Sequence, residues 1–320
     1  MYNDIRLEKG LYNLSGKTFT AALEELDPSA AYAGTPLERL DAYERQLKRF
    51  NIHVSGPECD MVEKFFSSTE TAVLFPEFVT RSIRRGFDDT IINTISAAKT
   101  VSESSKYLGC VLTDTAQYST VSQAALLPES TVREASDALT LEKFGRLISA
   151  SYEAVRKQRL DVFGVMLRSI GVKLAGAVVK KAVEVLVEDA AEITTESLTY
   201  ADLAKLYGQF NSFDMTTVIA SPATASAIAA MEQLMETRAD EKGRITLPFG
   251  SELIKTSAAE DDTIIGIDKN FALEFITSSD LIMETDKLID RQLDQITVSI
   301  TCGFRKITPD AVKVLTIASE

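Results

Sequence analysis

An α+β fold is predicted for this chain from three observations. Residues 159–188 carry helical periodicity over roughly eight turns. Residues 296–304 alternate strictly between apolar and polar side chains. Residues 191–275 hold short helical and strand patterns in succession, which reads as a small α/β unit.

The elements follow in chain order. Residues 1–34 are weakly patterned. Within them Gly10, Gly16, Lys17 and Thr18 resemble a phosphate-binding loop, but five residues separate the glycines. The loop needs four there if its amides are to wrap a phosphate. Thr35, Pro36 and Glu38 offer a cap, a first-turn proline and a capping-box carboxylate. They predict a helix through Phe50, with Leu37, Leu40, Tyr43, Leu47 and Phe50 on one face. The chain changes character at Ser55-Gly56-Pro57, so the first 75 residues read as an arm with one helix and no core of its own. Phe75-Pro76-Glu77 opens a second helix, whose apolar face is Phe78, Val79, Ile83 and Phe87. Arg81, Arg84 and Arg85 fall on the remaining surface. They form a candidate basic cluster, for contact with nucleic acid or an acidic neighbour. Ordinary solvated ion pairs are the bland alternative.

Residues 99–146 are rich in Ser, Thr and Ala, and strand-like pieces at 107–112 and 138–144 flank a polar middle. That pattern predicts an extended two-stranded arm. Such a hairpin is marginal alone and needs a neighbour to lie on. A short helix at 151–157 leads into the long one. There Leu160, Phe163, Leu167, Ile170, Leu174 and Ala177 share a stripe, with Val178, Ala182 and Val185 on a neighbouring one. Its length is about 45 Å. Gly164 and Gly171 each cost up to about 1 kcal/mol there, so they predict a second backbone passing close. Further on come a helix from Thr199 to about Phe210, a buried strand at 217–220 and a helix from Ser221-Pro222 to about Thr237. A charged turn at 238–244 and strands at 263–267 and 272–276 follow. In the final long strand Ile296, Val298, Ile300, Cys302 and Phe304 form one face, and 312–317 is a candidate partner for it.

Composition narrows the function. The 34 basic and 47 acidic residues give a net charge of −13, which argues against phosphate binding over the whole surface. With 45% hydrophobic residues in 320, one large domain or two ordinary ones can be built. No uninterrupted apolar run approaches the roughly 20 residues of a membrane span, and the chain opens without a signal-peptide pattern. Cys59, Cys110 and Cys302 are odd in number and widely spaced, which predicts buried free thiols in a reducing compartment. His53 is the single histidine and sits beside no nucleophile signature. Glu284, Asp286, Asp290 and Asp294 read as a charged bend, with Lys287 and Arg291 between them, ahead of a Mg²⁺ or Ca²⁺ site. Zinc-ligand spacing, Gly-x-Ser-x-Gly and Gly-x-Gly-x-x-Gly are not found in the sequence. No catalytic, cofactor-binding or metal-binding residue is assigned, and an enzyme is not expected.

Six stretches carry a family resemblance: Pro36-LERLDAYERQLKRF, Leu74-FPEFVTRSIRRGF, Ile148-SASYEAVRKQRLDVF, Val218-IASPA, Thr263-IIGIDKNFALEFI and Asp286-KLIDRQLDQITVSITCGFRKI. In number and order they resemble the major capsid proteins of tailed double-stranded-DNA bacteriophages, with the Hong Kong 97-type fold. The resemblance implies an N-terminal arm at 1–75 and a peripheral domain with the spine helix at 76–98, 147–190 and 276–320. It implies an extended loop at 99–146 and an axial domain at 191–275. The implied function is self-assembly into pentamers and hexamers of an icosahedral head. That head encloses double-stranded DNA without sequence-specific contacts.

The implied partners are copies of the chain, a separate scaffolding protein, a portal and a decoration protein, with no membrane. The implied location is the virion, after assembly in the host cytoplasm. Some relatives weld their shells by a Lys–Asn isopeptide bond. Here Lys99 and Lys106 lie near the loop but no asparagine follows Asn270, so no such cross-link is expected. The arm begins close to Met1, which leaves little room for a cleaved scaffolding segment. Two rivals stand beside this reading. One is an encapsulin-type compartment with the same fold. The other is a nucleotide hydrolase using Gly16, Lys17 and Thr18.

Overall fold

The computed structural model describes residues 5–13, 17–114, 120–234, 244–288 and 293–318. In chain order the first helices are α1 (Phe19–Leu26), α2 (Ala42–Arg49), α3 (Thr69–Asp88) and α4 (Ile92–Ile95). Strands β1 (Ala98–Val101), β2 (Lys106–Tyr107), β3 (Cys110–Asp114), β4 (Ser130–Glu134), β5 (Leu139–Thr140) and β6 (Glu142–Ser151) follow. Helices α5 (Tyr152–Arg156) and α6 (Leu160–Val187) come next, then β7 (Ala191–Thr195), α7 (Tyr200–Gly208), β8 (Thr217–Ala220) and α8 (Pro222–Ala229). The chain ends with β9 (Ile245–Thr246), β10 (Glu252–Lys255), β11 (Thr263–Ile267), β12 (Leu273–Thr277), β13 (Ile282–Leu288), β14 (Leu293–Lys306) and β15 (Val312–Ile317).

The chain divides into two compact units, and α6 and β14 each contribute residues to both. One unit comprises 1–89, 145–174 and 282–298. At its centre α3 crosses the first half of α6. A Cβ at Gly86 would lie 2.0 Å from the Arg168 carbonyl oxygen, and one at Gly171 would lie 2.0 Å from that of Ile83. The close backbone approach expected at Gly171 is therefore present, and Gly86 is its counterpart. Gly164 is different, because its Cβ would make only an ordinary 3.5 Å contact with Phe78. Above the crossing, Phe163 stacks between Phe75 and Phe78 at centroid distances of 6.2 and 6.5 Å.

The start of α3 differs from expectation. Ser68 caps it through a reciprocal pair with Thr71, and Pro76 lies inside the helix. Proline in a helix interior costs about 3 kcal/mol; burial of Val73, Leu74, Phe75 and Phe78 outweighs it. The expected start at Pro36 also moves. Thr35 is spent on a turn with the Tyr32 carbonyl, and the helix begins at Asp41 with a capping box to Glu44.

The N-terminal segment, expected as an arm without a core, buries Leu7, Phe19, Leu23, Ala42, Tyr43 and Leu47. Arg45 is wholly buried there. Its Nε donates to Asp27 Oδ2 at 2.8 Å, and Asp27 Oδ1 accepts from the Tyr32 hydroxyl at 2.6 Å.

The second unit comprises 90–144, 175–281 and 299–320. Its main sheet runs β7-β15-β11-β8-β10-β9. The strands β8 and β11, apolar after an opening threonine, are buried along their whole length, as central strands should be. Leu203 and Leu206 of α7 and Ile228 of α8 close one core with Val218, Ile264 and Leu315. Strand β15 pairs with β11 and β7, not with the long strand as expected. The long strand β14 instead pairs with β12, where Leu273 faces Lys306 and Thr277 faces Cys302. Helix α8 ends at Ala229, short of the expected Thr237, which lies outside the described residues. Most of the turn expected at 238–244 lies outside them too.

By length and composition α6 is apolar enough to cross a membrane. Counting only uninterrupted runs missed this, because Arg168, Lys173, Lys180 and Lys181 interrupt it. Its Leu160, Phe163, Leu167, Val178, Ala182 and Leu186 are buried against protein. The thiols also differ from expectation: Cys302 is buried, but Cys110 is exposed and Cys59 half-buried.

Two measurements test this account. Gly171→Ala should destabilise the protein in urea unfolding by about 1–3 kcal/mol through overpacking. Gly176→Ala, with nothing within 4 Å of its Cβ, should stabilise it by up to about 1 kcal/mol. In α7, the Lys205 ammonium first and the Thr199 hydroxyl second hold the Asp202 carboxyl at about 2, down from 3.8. A depressed carboxyl stabilises the fold above its unfolded value and loses that contribution as pH falls through the folded one. The stability gap between wild type and Asp202→Asn should thus be full above pH 4 and close as pH falls toward about 2.

Candidate assembly surfaces

The arginines of α3 do not act as one cluster. Arg81 is turned onto the N-terminal segment. Its Nη1 donates to Asp41 Oδ2 at 2.6 Å, its Nε to Glu77 Oε1 at 2.8 Å and its Nη2 to Thr20 at 3.1 Å. The guanidinium also lies 4.4 Å from the Tyr43 ring centre. Thr20 donates in turn to Glu77 at 2.6 Å, and the Tyr12 hydroxyl bonds the Val73 carbonyl at 2.7 Å. Burial first, and the Glu77 carboxylate second, push the Tyr12 and Tyr43 phenols up. This network clasps the N-terminal segment to α3. Arg84 is half-buried and Arg85 exposed. Sequence reasoning saw a basic helix face but not the clasp, since Asp41 is forty residues from Arg81 and carries no local signal.

The arm at 98–140 is rooted in the second unit. Strand β1 pairs in parallel with β12. Glu274 Oε1 accepts from Thr100 at 2.5 Å and from the Tyr107 hydroxyl at 2.8 Å. Arg305 fills the space over Gly109 and donates to the Cys110 carbonyl. Beyond this root, β2 pairs with β5 and β3 with β4, both antiparallel. The outer ribbon has little cover from its own chain. Val111, Leu112 and Val132 are exposed, and at the tip Leu126 is 96% and Leu127 72% exposed.

The remaining sequence features are spent locally. Lys17 pairs with both carboxylate oxygens of Glu25, at 2.6 and 2.8 Å, and Thr18 caps α1. A helix does follow the glycine stretch, contrary to expectation, but Gly10 lies in a 3₁₀ turn and irregular chain at 5–8 precedes it, where a phosphate loop needs a strand. Gly16 lies outside the described residues. His53 lies in a loop, its amide donating to Asp60 at 2.8 Å. The Cys59 sulfur accepts from the Asp161 amide at 3.2 Å. Glu284 and Asp286 lie on β13 and Asp294 on β14, while Asp290 lies outside the described residues. Among the described residues no three His, Cys, Asp or Glu side chains are grouped to hold a metal ion.

No family model and no curated protein matches the sequence. The likeness is in the backbone. The capsid of a native GTA particle matches with a TM-score of 0.54 at 15% identity, over 73% of this chain and 91% of its own. A chain of Microbacterium phage Oxtober96 matches at 0.52 and 11% identity, over 71% and 91%. The SrpI encapsulin of Synechococcus elongatus matches at 0.51 and 14% identity, over 72% and 92%. The chain has the Hong Kong 97-type capsid fold. Below, α6 is called the spine helix.

The clasp makes a measurable distinction among the arginines. Arg81→Met should cost about 1–3 kcal/mol in urea unfolding, because it strands the polar groups it serves. Arg85→Met should stay within about 0.5 kcal/mol. Equal effects would remove the clasp.

Proposed function

We propose that this chain is a major capsid protein, assembling into pentamers and hexamers of an icosahedral phage head around double-stranded DNA. It is a structural protein and not an enzyme. The observation that supports this most is the extended loop on a Hong Kong 97-type subunit. A two-stranded ribbon is only marginally stable alone, and this one exposes Leu126, Leu127, Leu112 and Val132. Cover from a second copy satisfies it, and the same contact repeated around a ring closes a shell.

In this reading contact with DNA is through charge and is independent of sequence. A scaffolding protein, a portal and a decoration protein complete the particle, which assembles in the host cytoplasm and persists as the virion. In this reading contacts between copies hold the shell, without a Lys–Asn cross-link. An encapsulin-type compartment is the second reading, favoured by the likeness to the SrpI encapsulin. Shell contents separate the two: DNA for a phage head, cargo protein for a compartment.

Electron microscopy and sedimentation of the concentrated protein test assembly. Closed shells, tubes or capsomer rings are expected. A monodisperse monomer, even with a scaffolding protein supplied, would falsify the shell reading. Deleting 120–128 should leave urea stability within about 0.5 kcal/mol while abolishing closed shells. Normal shells from that variant would count against the loop contact.

A further inference from the structure

The spine helix has two apolar stripes, and only one is covered. Leu160, Phe163, Leu167 and Leu174 are buried. On the other side Val162, Val165, Ser169 and Val172 recur at spacings of three, four and three. Their valines are 49%, 59% and 48% exposed, and the adjoining Met166 is 46% exposed. Strict three–four spacing makes a seam one helix wide, narrower than the face a helix presents to a core. Arg168 and Lys173 border it, at the positions that choose partners in helix pairs. Asp161, the acidic residue on its border, is paired with Arg159 at 2.8 Å.

We infer that this seam docks an acidic amphipathic helix of a partner protein. Four considerations choose that occupant. Basic borders on a chain of net charge −13 call for acidic flanks opposite. A DNA backbone would gain nothing from three exposed valines and a methionine. A helix lying on lipid presents Trp, Phe or Leu to the acyl chains, and this seam carries none of them. A second copy packed in parallel on the same face would bring Arg168 against a like-charged Lys173, and one packed antiparallel would turn Arg168 toward Asp161, which Arg159 already engages at 2.8 Å. The inference goes beyond the shell reading and stands without it, because the binding belongs to the single subunit.

The test uses the full chain below its assembly concentration. The probe is a fluorescent three-heptad peptide with Leu along its seam and Glu on its flanks. Saturable binding by anisotropy is expected, weakened by salt. Val165→Glu with Val172→Glu should weaken it at least tenfold with circular dichroism and urea midpoint unchanged. Lys173→Glu should weaken the Glu-flanked peptide and strengthen one with Lys flanks, which a merely structural role would not do. Four outcomes would overturn the proposal. They are no saturable binding, equal binding by the double variant, tighter binding to a short DNA duplex or anionic vesicles, and self-association through the seam without peptide binding. Because no shell is needed, a failure here is distinct from a failure to assemble.

Discussion

Two carbonyl oxygens leave no room for a methyl group, and the helical unit is built around them. Arg168 presents one to Gly86 and Ile83 presents the other to Gly171. Side chains cannot separate the axes there, so α3 and the spine helix meet backbone to backbone. That contact determines which residues flank it. Phe75, Phe78 and Phe163 can interleave because the helices are held close. Each glycine is unfavourable in an isolated helix, and the packing that it permits offsets this.

The N-terminal segment follows from the same helix. One face of α3 is committed to the crossing, and Glu77 and Arg81 hold Thr20 and Asp41 elsewhere on it. The buried Arg45–Asp27 pair gives that segment a polar interior. Buried ion pairs add little net stability, but losing one partner is costly because a charge is left unpaired. Such pairs therefore specify one arrangement of the segment more than they strengthen it.

Sequence reading succeeded where a local rule had no rival. The strands at 217–220, 263–267 and 312–317 and the alternating face of β14 match because their apolar patterns are unambiguous. The Ser221-Pro222 cap matches because nothing nearby competes. Pro36 and Pro76 misled because proline permits a helix start without requiring one. Better caps stood at Asp41 and Ser68. The partner of β15 was misassigned, since a strand pattern does not name its neighbour in the sheet. Of the surfaces, the polar composition of residues 99–146 was readable. The fate of Arg81 and the uncovered side of the spine helix were not, because both depend on what packs where.

The position of β15 has a consequence for how the protein is made. This strand sits between β11 and β7, so the sheet lacks an inner member until residues 312–317 have been synthesised. Strand β7 was translated more than a hundred residues earlier and has no other neighbour in that sheet among the described residues. A nascent chain on the ribosome therefore holds an open sheet, and long-range pairing of this kind is slow to form. The order of translation thus acts as a timer, delaying completion of that sheet until residues 312–317 have been synthesised.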